Sequence, residues 1–287
     1  MLNKNKQHIC SNFNLVNIVM GKFSSKRNKD FWNEFALTSK DNKFGASGGR
    51  HLVDIENQFI FNSLKIKKSK SMIDIGCGNG QRTILFSKYS KKTLGIDYSE
   101  KMVYEAKKYL KTQSTAIQKN IEFREGNINK FDSTQLFDTI ISCRCIINQT
   151  STLNQIKLFK KLHKMLKPNG SLIIAEISKQ GMQRLNTTRK KYDLPPLNKR
   201  WHNLHIDEKK IFPKLKNSFK IVDVKRAGMF YFLSRVFYPS MIFPKEPKSE
   251  SKINELALKS EILTNKSFSE NSFDHFGGHL LMHLVKK

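Results

Sequence analysis

The chain is short of acids, of paired cysteines and of long apolar runs, and each shortage removes a class of protein. Its four cysteines, Cys10, Cys77, Cys143 and Cys145, contain no Cys-x-x-Cys arrangement. That argues against a zinc ribbon or a disulfide scaffold and for free thiols in a reducing compartment, and no metal site is expected. No apolar run is long enough to span a bilayer, and the amino-terminal stretch has no unbroken apolar signal core, so the expectation is a soluble, cytoplasmic protein. Residues 1–27 read as a weakly ordered leader, with Met20, ahead of Gly21-Lys22-Phe23, as an alternative start. No internal repeat is evident.

The shortage of acids, 24 Asp and Glu against 52 Lys and Arg, leaves a formal charge of +28. A surplus of this size raises nucleic acid or an anionic membrane surface as a partner. Its distribution speaks against a dedicated face: lysine is spread over nearly every predicted helix and loop, beside abundant Asn, Ile and Phe, as when a compositional bias fills solvated positions. Two clusters, 65–70 and 184–200, are the local candidates for contact with an acidic substrate. At 287 residues the chain can bury an adequate core as one large domain with elaborations.

What is present is an alternation of apolar runs and helical patterns. Strands are predicted over 71–75, 93–96, 121–125, 137–142, 171–177, 219–225 and 279–285, and helices over 51–64, 80–89, 99–110 and 153–166. Ser99-Glu100 marks a helix start, and Lys167-Pro168-Asn169-Gly170 reads as a stop followed by a tight turn. The alternation implies an α/β fold built on a parallel sheet with crossover helices.

The most informative stretch is Met72-Ile73-Asp74-Ile75-Gly76-Cys77-Gly78-Asn79-Gly80, an apolar strand that ends in a carboxylate and then in glycines where a helix begins. Glycine there allows unusual backbone angles and close approach of a ligand to the main chain. The dinucleotide fingerprint requires Gly-x-Gly-x-x-Gly, whereas this loop is Gly-x-Gly-x-Gly and carries Asp74, an acid that repels a phosphate and suits a cation. The next strand ends in Asp97, which fits a ribose with two free hydroxyls.

On these motifs, the run from Met72 to about Ala175 resembles the class I S-adenosylmethionine-dependent methyltransferases. The resemblance implies a Rossmann-like, seven-stranded, mostly parallel sheet with helices on both faces, in which the last strand is inserted antiparallel beside the fifth. It also implies S-adenosyl-L-methionine as cofactor, with Asp74, Gly76, Cys77, Gly78, Asp97, Tyr98, Asn127, Ile128 and Cys143 as its binding residues. Asp74 serves either the methionine ammonium or the helix after the loop, and Asn127 either the adenine amino group or a simple Asx turn. The expected layout is a helical lid over 28–66 and a methyltransferase domain over 67–287, with insertions at 179–211 and 230–278.

Two further absences narrow the acceptor. The segment Ser142-Cys143-Arg144-Cys145-Ile146-Ile147-Asn148-Gln149 lacks the Asp or Asn, Pro-Pro and aromatic of amino-methylating DNA enzymes, and neither Cys143 nor Cys145 follows a proline, as a nucleophile for pyrimidine carbon methylation would. The stretch Arg200-Trp201-His202-Asn203-Leu204-His205 resembles the insertion of methyltransferases encoded with sugar and polysaccharide enzymes, which makes His202 and His205 candidate bases for a hydroxyl. The expectation is methyl transfer to an oxygen or nitrogen of a small-molecule acceptor, a sugar or polysaccharide precursor leading. An RNA methyltransferase, for which nucleic acid is the partner but only charge argues, and a non-catalytic S-adenosylmethionine-binding protein are the alternatives.

Overall fold

The computed structural model describes residues 23–38, 49–66, 68–248, 250–267 and 272–287, so residues 1–22 of the expected leader lie outside it. The apolar runs form one sheet of seven strands: β1 Ser69–Ile75, β2 Ser90–Asp97, β3 Ile121–Glu125, β4 Phe137–Cys143, β5 Leu166–Ile177, β6 Phe219–Lys225 and β7 His279–Lys286. Their order is β3-β2-β1-β4-β5-β7-β6. The first five are parallel, and β7 runs antiparallel to both β5 and β6, as the resemblance implies.

Helices α1 Ser25–Thr38 and α2 Arg50–Ile66 precede the sheet, and α3 Gln81–Ser87, α4 Glu100–Lys111, α5 Thr115–Gln118 and α6 Thr152–Met165 lie in the crossovers. Between β5 and β6 come α7 Lys179–Lys191 and α8 Glu208–Ser218; between β6 and β7 come α9 Gly228–Phe232, α10 Tyr238–Ile242 and α11 Lys252–Ser267. Ser99 caps α4 as its sequence predicts, its hydroxyl accepting the Met102 N–H at 3.1 Å. No described helix is long and apolar enough to cross a membrane.

Side chains of successive strand residues alternate between the two faces, and both faces are apolar because helices cover both. Ile73, Ile140, Leu172, Ile174, Leu280 and Met282 pack into one core, while their neighbours Met72, Ile141, Ile173, Ala175 and Leu281 pack into another on the opposite face. Helix α2 joins the second core through Leu52, Ile55, Phe59, Ile60 and Leu64. Each buried Ile, Leu, Met or Phe among them contributes about 1.5–3 kcal/mol of burial, which fixes the register and so the heights at which the strands end.

One turn differs from its prediction. Strand β5 starts at Leu166, opposite Phe137, bulges at Asn169 (φ 57), and resumes pairing at Ser171 opposite Thr139. Asn tolerates the left-handed backbone there, so Lys167-Pro168-Asn169-Gly170 is an irregularity inside a strand and not a free-standing turn. The feature that places the site is the reversal of strand order at β1, which lies between β2 and β4. A crevice opens beyond the carboxyl ends of these strands.

Candidate functional site

A cavity of about 570 Å³ occupies that crevice. Asp74, Gly76, Cys77, Gly78, Asp97, Tyr98, Asn127, Ile128 and Cys143 all line it.

The glycine loop owes its shape to backbone constraints. Gly76 and Cys77 both donate their N–H groups to the Ile96 carbonyl, at 2.8 and 3.0 Å, which pulls the loop over the end of β2. Gly76 sits at φ 70, and a Cβ there would lie 2.7 Å from the Cβ of Cys145. Gly78 (φ 54) is the opposite case: a Cβ would meet nothing within 4 Å, so its bare main chain faces open space. Asp74 accepts the Thr83 hydroxyl at 2.5 Å, which ties the loop to α3. Burial pushes its carboxyl up to about 6, against the pull of Thr83.

Asp97 is held from the main chain. Its Oδ2 accepts the Gly78 N–H at 3.0 Å and its Oδ1 the Ser99 N–H at 2.9 Å, so each oxygen retains lone-pair capacity toward the cavity. Burial raises this carboxyl to about 6 as well, opposed by those backbone donors. Asn127 accepts the Asn129 N–H at 3.0 Å and makes an Asx turn while lining the cavity.

Past β4 the chain turns sharply at Arg144, which adopts φ 53. A fully buried carboxylate on β5, Glu176, holds this turn: it accepts the N–H groups of Cys145, Ile146 and Ile147 at 3.1, 2.9 and 3.2 Å and the Ser142 hydroxyl at 3.0 Å. Burial lifts Glu176 to about 7. The same dryness pushes the Cys143 thiol up to about 12 and the Cys77 and Cys145 thiols well above their usual value, so none of the three is a thiolate nucleophile at neutral pH.

The outer wall of the cavity comes from α1 and the loop after α7. Leu204 N donates to the Ile147 carbonyl at 2.6 Å and the Gln155 amide to the Leu204 carbonyl at 2.7 Å, which lays that loop on the post-β4 segment. His202 then stands against the rings of Phe31, Trp32 and Trp201, with centroids 4.4, 5.4 and 5.3 Å away. The Arg27 guanidinium covers Trp201 at 4.3 Å. His202 is 3 % exposed, lines the cavity, and its Nδ1 has no partner among the described residues. Burial, with Arg200 adding to it, lowers its imidazole to about 4, so it is neutral at neutral pH.

His205 differs. It is absent from the cavity wall, although burial lowers it to about 4 too. Asp207 turns away to Lys179 and Gln180, at 2.9 and 2.8 Å. Of the basic cluster at 184–200, Arg184 donates to the His275 carbonyl at 2.9 Å and Arg189 to that of Pro195 at 2.8 Å, whereas Arg200 lines the cavity. No described residue of the second insertion, 230–278, lines it; its helices α9 and α11 pack on each other, and α11 on α2.

Sequence reasoning missed Glu176, Asn28 and a charged cluster. Asn28 is 1 % exposed on α1, donates to the Asn148 carbonyl at 3.1 Å and lines the cavity. The cluster centres on Glu56, fully buried on α2, whose Oε2 accepts from Arg82 Nη1 at 2.8 Å and from Arg144 Nη2 at 3.2 Å. Burial would raise this carboxyl, but Arg144, Arg82 and His279 prevail and hold it well below the usual carboxylate range. An acid inside a predicted helix, as Glu56 is, carries no local signal of its distant partners.

Comparison with known proteins agrees with this geometry. Residues 66–220 match a family model described as a methyltransferase domain. The demethylmenaquinone methyltransferase of Lactobacillus johnsonii is 28 % identical over 122 residues, 42 % of this chain and 48 % of that protein. The mitochondrial ubiquinone biosynthesis O-methyltransferase of Schizosaccharomyces pombe is 26 % identical over 165 residues, 55 % of this chain and 57 % of that one. The chain spans about half the length of the curated relatives it matches.

Two solved structures share the fold. The N-methyltransferase NodS from Bradyrhizobium japonicum, in complex with S-adenosyl-L-homocysteine, has a TM-score of 0.55 at 14 % identity, over 89 % of this chain and 98 % of that one. The magnesium protoporphyrin IX methyltransferase from Synechocystis, with the same ligand bound, has a TM-score of 0.59 at 15 % identity, over 92 % and 100 %. With the family model covering more than half of its length, the chain belongs to the methyltransferase-domain family, and it has the Rossmann-like class I fold of S-adenosylmethionine-dependent methyltransferases.

Proposed function

We propose that this protein is an S-adenosylmethionine-dependent methyltransferase acting on an oxygen or nitrogen of a small molecule. One observation carries the reading: the glycine loop, Asp97 and the post-β4 segment share a single cavity with an aromatic and amide-lined wall on which His202 stands. The residues fit the cofactor. Asp97 offers both carboxylate oxygens to the two ribose hydroxyls, Gly78 leaves room against the main chain, Tyr98 and Ile128 line the adenine side, and Asp74 suits the methionine ammonium.

When bound, the cofactor supplies a methyl group on a cationic sulfur. Methyl transfer then needs an aligned and desolvated acceptor more than it needs covalent catalysis. The wall of Trp32 and His202 excludes water, and neutral His202 takes the acceptor's proton through an unprotonated ring nitrogen. The names of the relatives span an O-methyltransferase and an N-methyltransferase, which is why the reading covers both atoms.

For the acceptor we favour a sugar or polysaccharide precursor. The wall carries Asn28, Asn148, Gln149, Asn154 and Asn203 beside the Trp32 ring. Amides both donate and accept, as vicinal hydroxyls require, and an indole packs on the apolar face of a sugar. The RNA alternative rests on the +28 charge and predicts binding to a mixed RNA pool that collapses as salt rises.

The test is titration calorimetry with S-adenosylmethionine, S-adenosylhomocysteine and NAD, followed by screening of acceptors with a labelled methyl donor. Selective binding of the first two and label transfer to a hydroxylated small molecule are expected. Binding of NAD alone would refute the reading, and cofactor binding with no transfer to any acceptor would favour the non-catalytic alternative.

A further inference from the structure

One wall of the cavity carries charge that methyl transfer itself does not use. Arg82, in the first turn of α3, and Arg144, at its left-handed position after β4, both line the cavity, and both reach Glu56 Oε2. The other oxygen of Glu56 lies 2.8 Å from His279 Nε2, and the Nδ1 of that ring lies 2.7 Å from the Tyr231 hydroxyl. Asn57 Oδ1 accepts Arg82 Nε at 2.9 Å. Arg82 Nη2, by contrast, is buried and has no acceptor among the described residues.

Glu56 and its partners therefore fix two guanidiniums on the cavity wall, one of them with a donor that no acceptor among the described residues completes. A buried donor left without an acceptor is costly unless a ligand completes it. A guanidinium is a planar fork of donors, which matches a carboxylate better than a spherical anion. Asp74, whose charge Arg82 feels, lies on the same wall and favours a cation beside that carboxylate.

The geometry points to Arg82 and Arg144, braced by the positioning residue Glu56, as a carboxylate-binding site in the cavity. The carboxylate belongs either to the amino-acid end of the cofactor or to an acidic acceptor. Only this choice of carrier rests on the methyltransferase reading; the site itself does not.

The experiment compares wild type with Arg82→Gln, using S-adenosylhomocysteine and 5′-methylthioadenosine, which keeps the adenosine and sulfur but has no amino-acid end. If the cofactor is the carrier, the variant binds S-adenosylhomocysteine about tenfold more weakly or worse, and 5′-methylthioadenosine as wild type does. If an acceptor is the carrier, both ligands bind the variant normally. Acetate and inorganic phosphate then raise the melting temperature of the ligand-loaded wild type and leave that of the variant unmoved.

Equal losses for both adenosyl ligands, or no difference between the two proteins in any arm, overturns the site. Should wild type bind neither adenosyl ligand, the methyltransferase reading fails separately. The acetate and phosphate arm on unliganded protein still decides the site, supporting it if the variant loses the response and overturning it if not. Arg82→Lys, which keeps the charge and loses the fork, serves if Arg82→Gln does not fold. Glu56→Gln reports the bracing role: it is expected to shrink the preference for S-adenosylhomocysteine over 5′-methylthioadenosine while both ligands still bind.

Discussion

The two sides of the cavity are built differently. The side with the glycine loop and Asp97 is made of consecutive strand ends, and its groups are held by main-chain donors such as Gly78 and Ser99. The opposite side joins Asn28 and Trp32 from α1, Asn148 and Gln149 after β4, and His202 after α7, segments far apart in the chain and held by side-chain contacts. The first side follows from the fold, and in the proposed reading it holds the cofactor. The second is particular to this chain, and in the proposed reading it selects the acceptor.

Substitutions that respect or violate this division sharpen it. The largest effect is expected at Gly76, where alanine meets both an unfavourable φ and the Cys145 side chain. Gly76→Ala should cost about 2–4 kcal/mol of stability and abolish binding of S-adenosylhomocysteine in calorimetry. Retained binding would mean that the loop does not touch the ligand. Next comes His202→Phe, which keeps a ring among Phe31, Trp32 and Trp201 while removing both nitrogens. Turnover should fall about 100-fold or more with cofactor affinity unchanged; a parallel loss of affinity would merge the two sides into one.

The smallest effect is a pH dependence. Asp97 rises from the usual 3.8 to about 6 on folding, so its contribution to stability is present at low pH and is lost as pH rises through about 6. The ribose needs the ionised form. Cofactor binding should therefore release a proton near pH 6, and affinity should climb between about pH 5 and 7 and then level off. Calorimetry in buffers of different ionisation enthalpy measures this directly. An unchanged proton count in Asp97→Asn would remove that residue from the contact.

The same division explains what was legible beforehand. Asp74, Gly76, Gly78 and Asp97 could be read because strand, loop and helix adjoin in sequence, and the antiparallel last strand followed from the family resemblance. A helical lid over 28–66 was expected, but nothing in it showed that Phe31 and Trp32 would meet His202. Nor could one neighbourhood separate His202 from His205, since His202 lines the cavity only once its loop is laid on the post-β4 segment and against α1. Glu56 and Glu176 looked like ordinary acids of a helix and a strand. Both are wholly buried hubs, and a hub is defined by partners that local pattern does not encode.

Strand β7 lies between β5 and β6, yet it follows both in the chain, and its first residue is His279. During synthesis β6 leaves the ribosome with no strand to pair with, and Glu56 waits for its third partner until the chain has passed residue 279. A nascent chain stalled before β7 could still pair β1 to β5, and so carry the glycine loop and Asp97, but would leave β6 without the strand that joins it to the sheet.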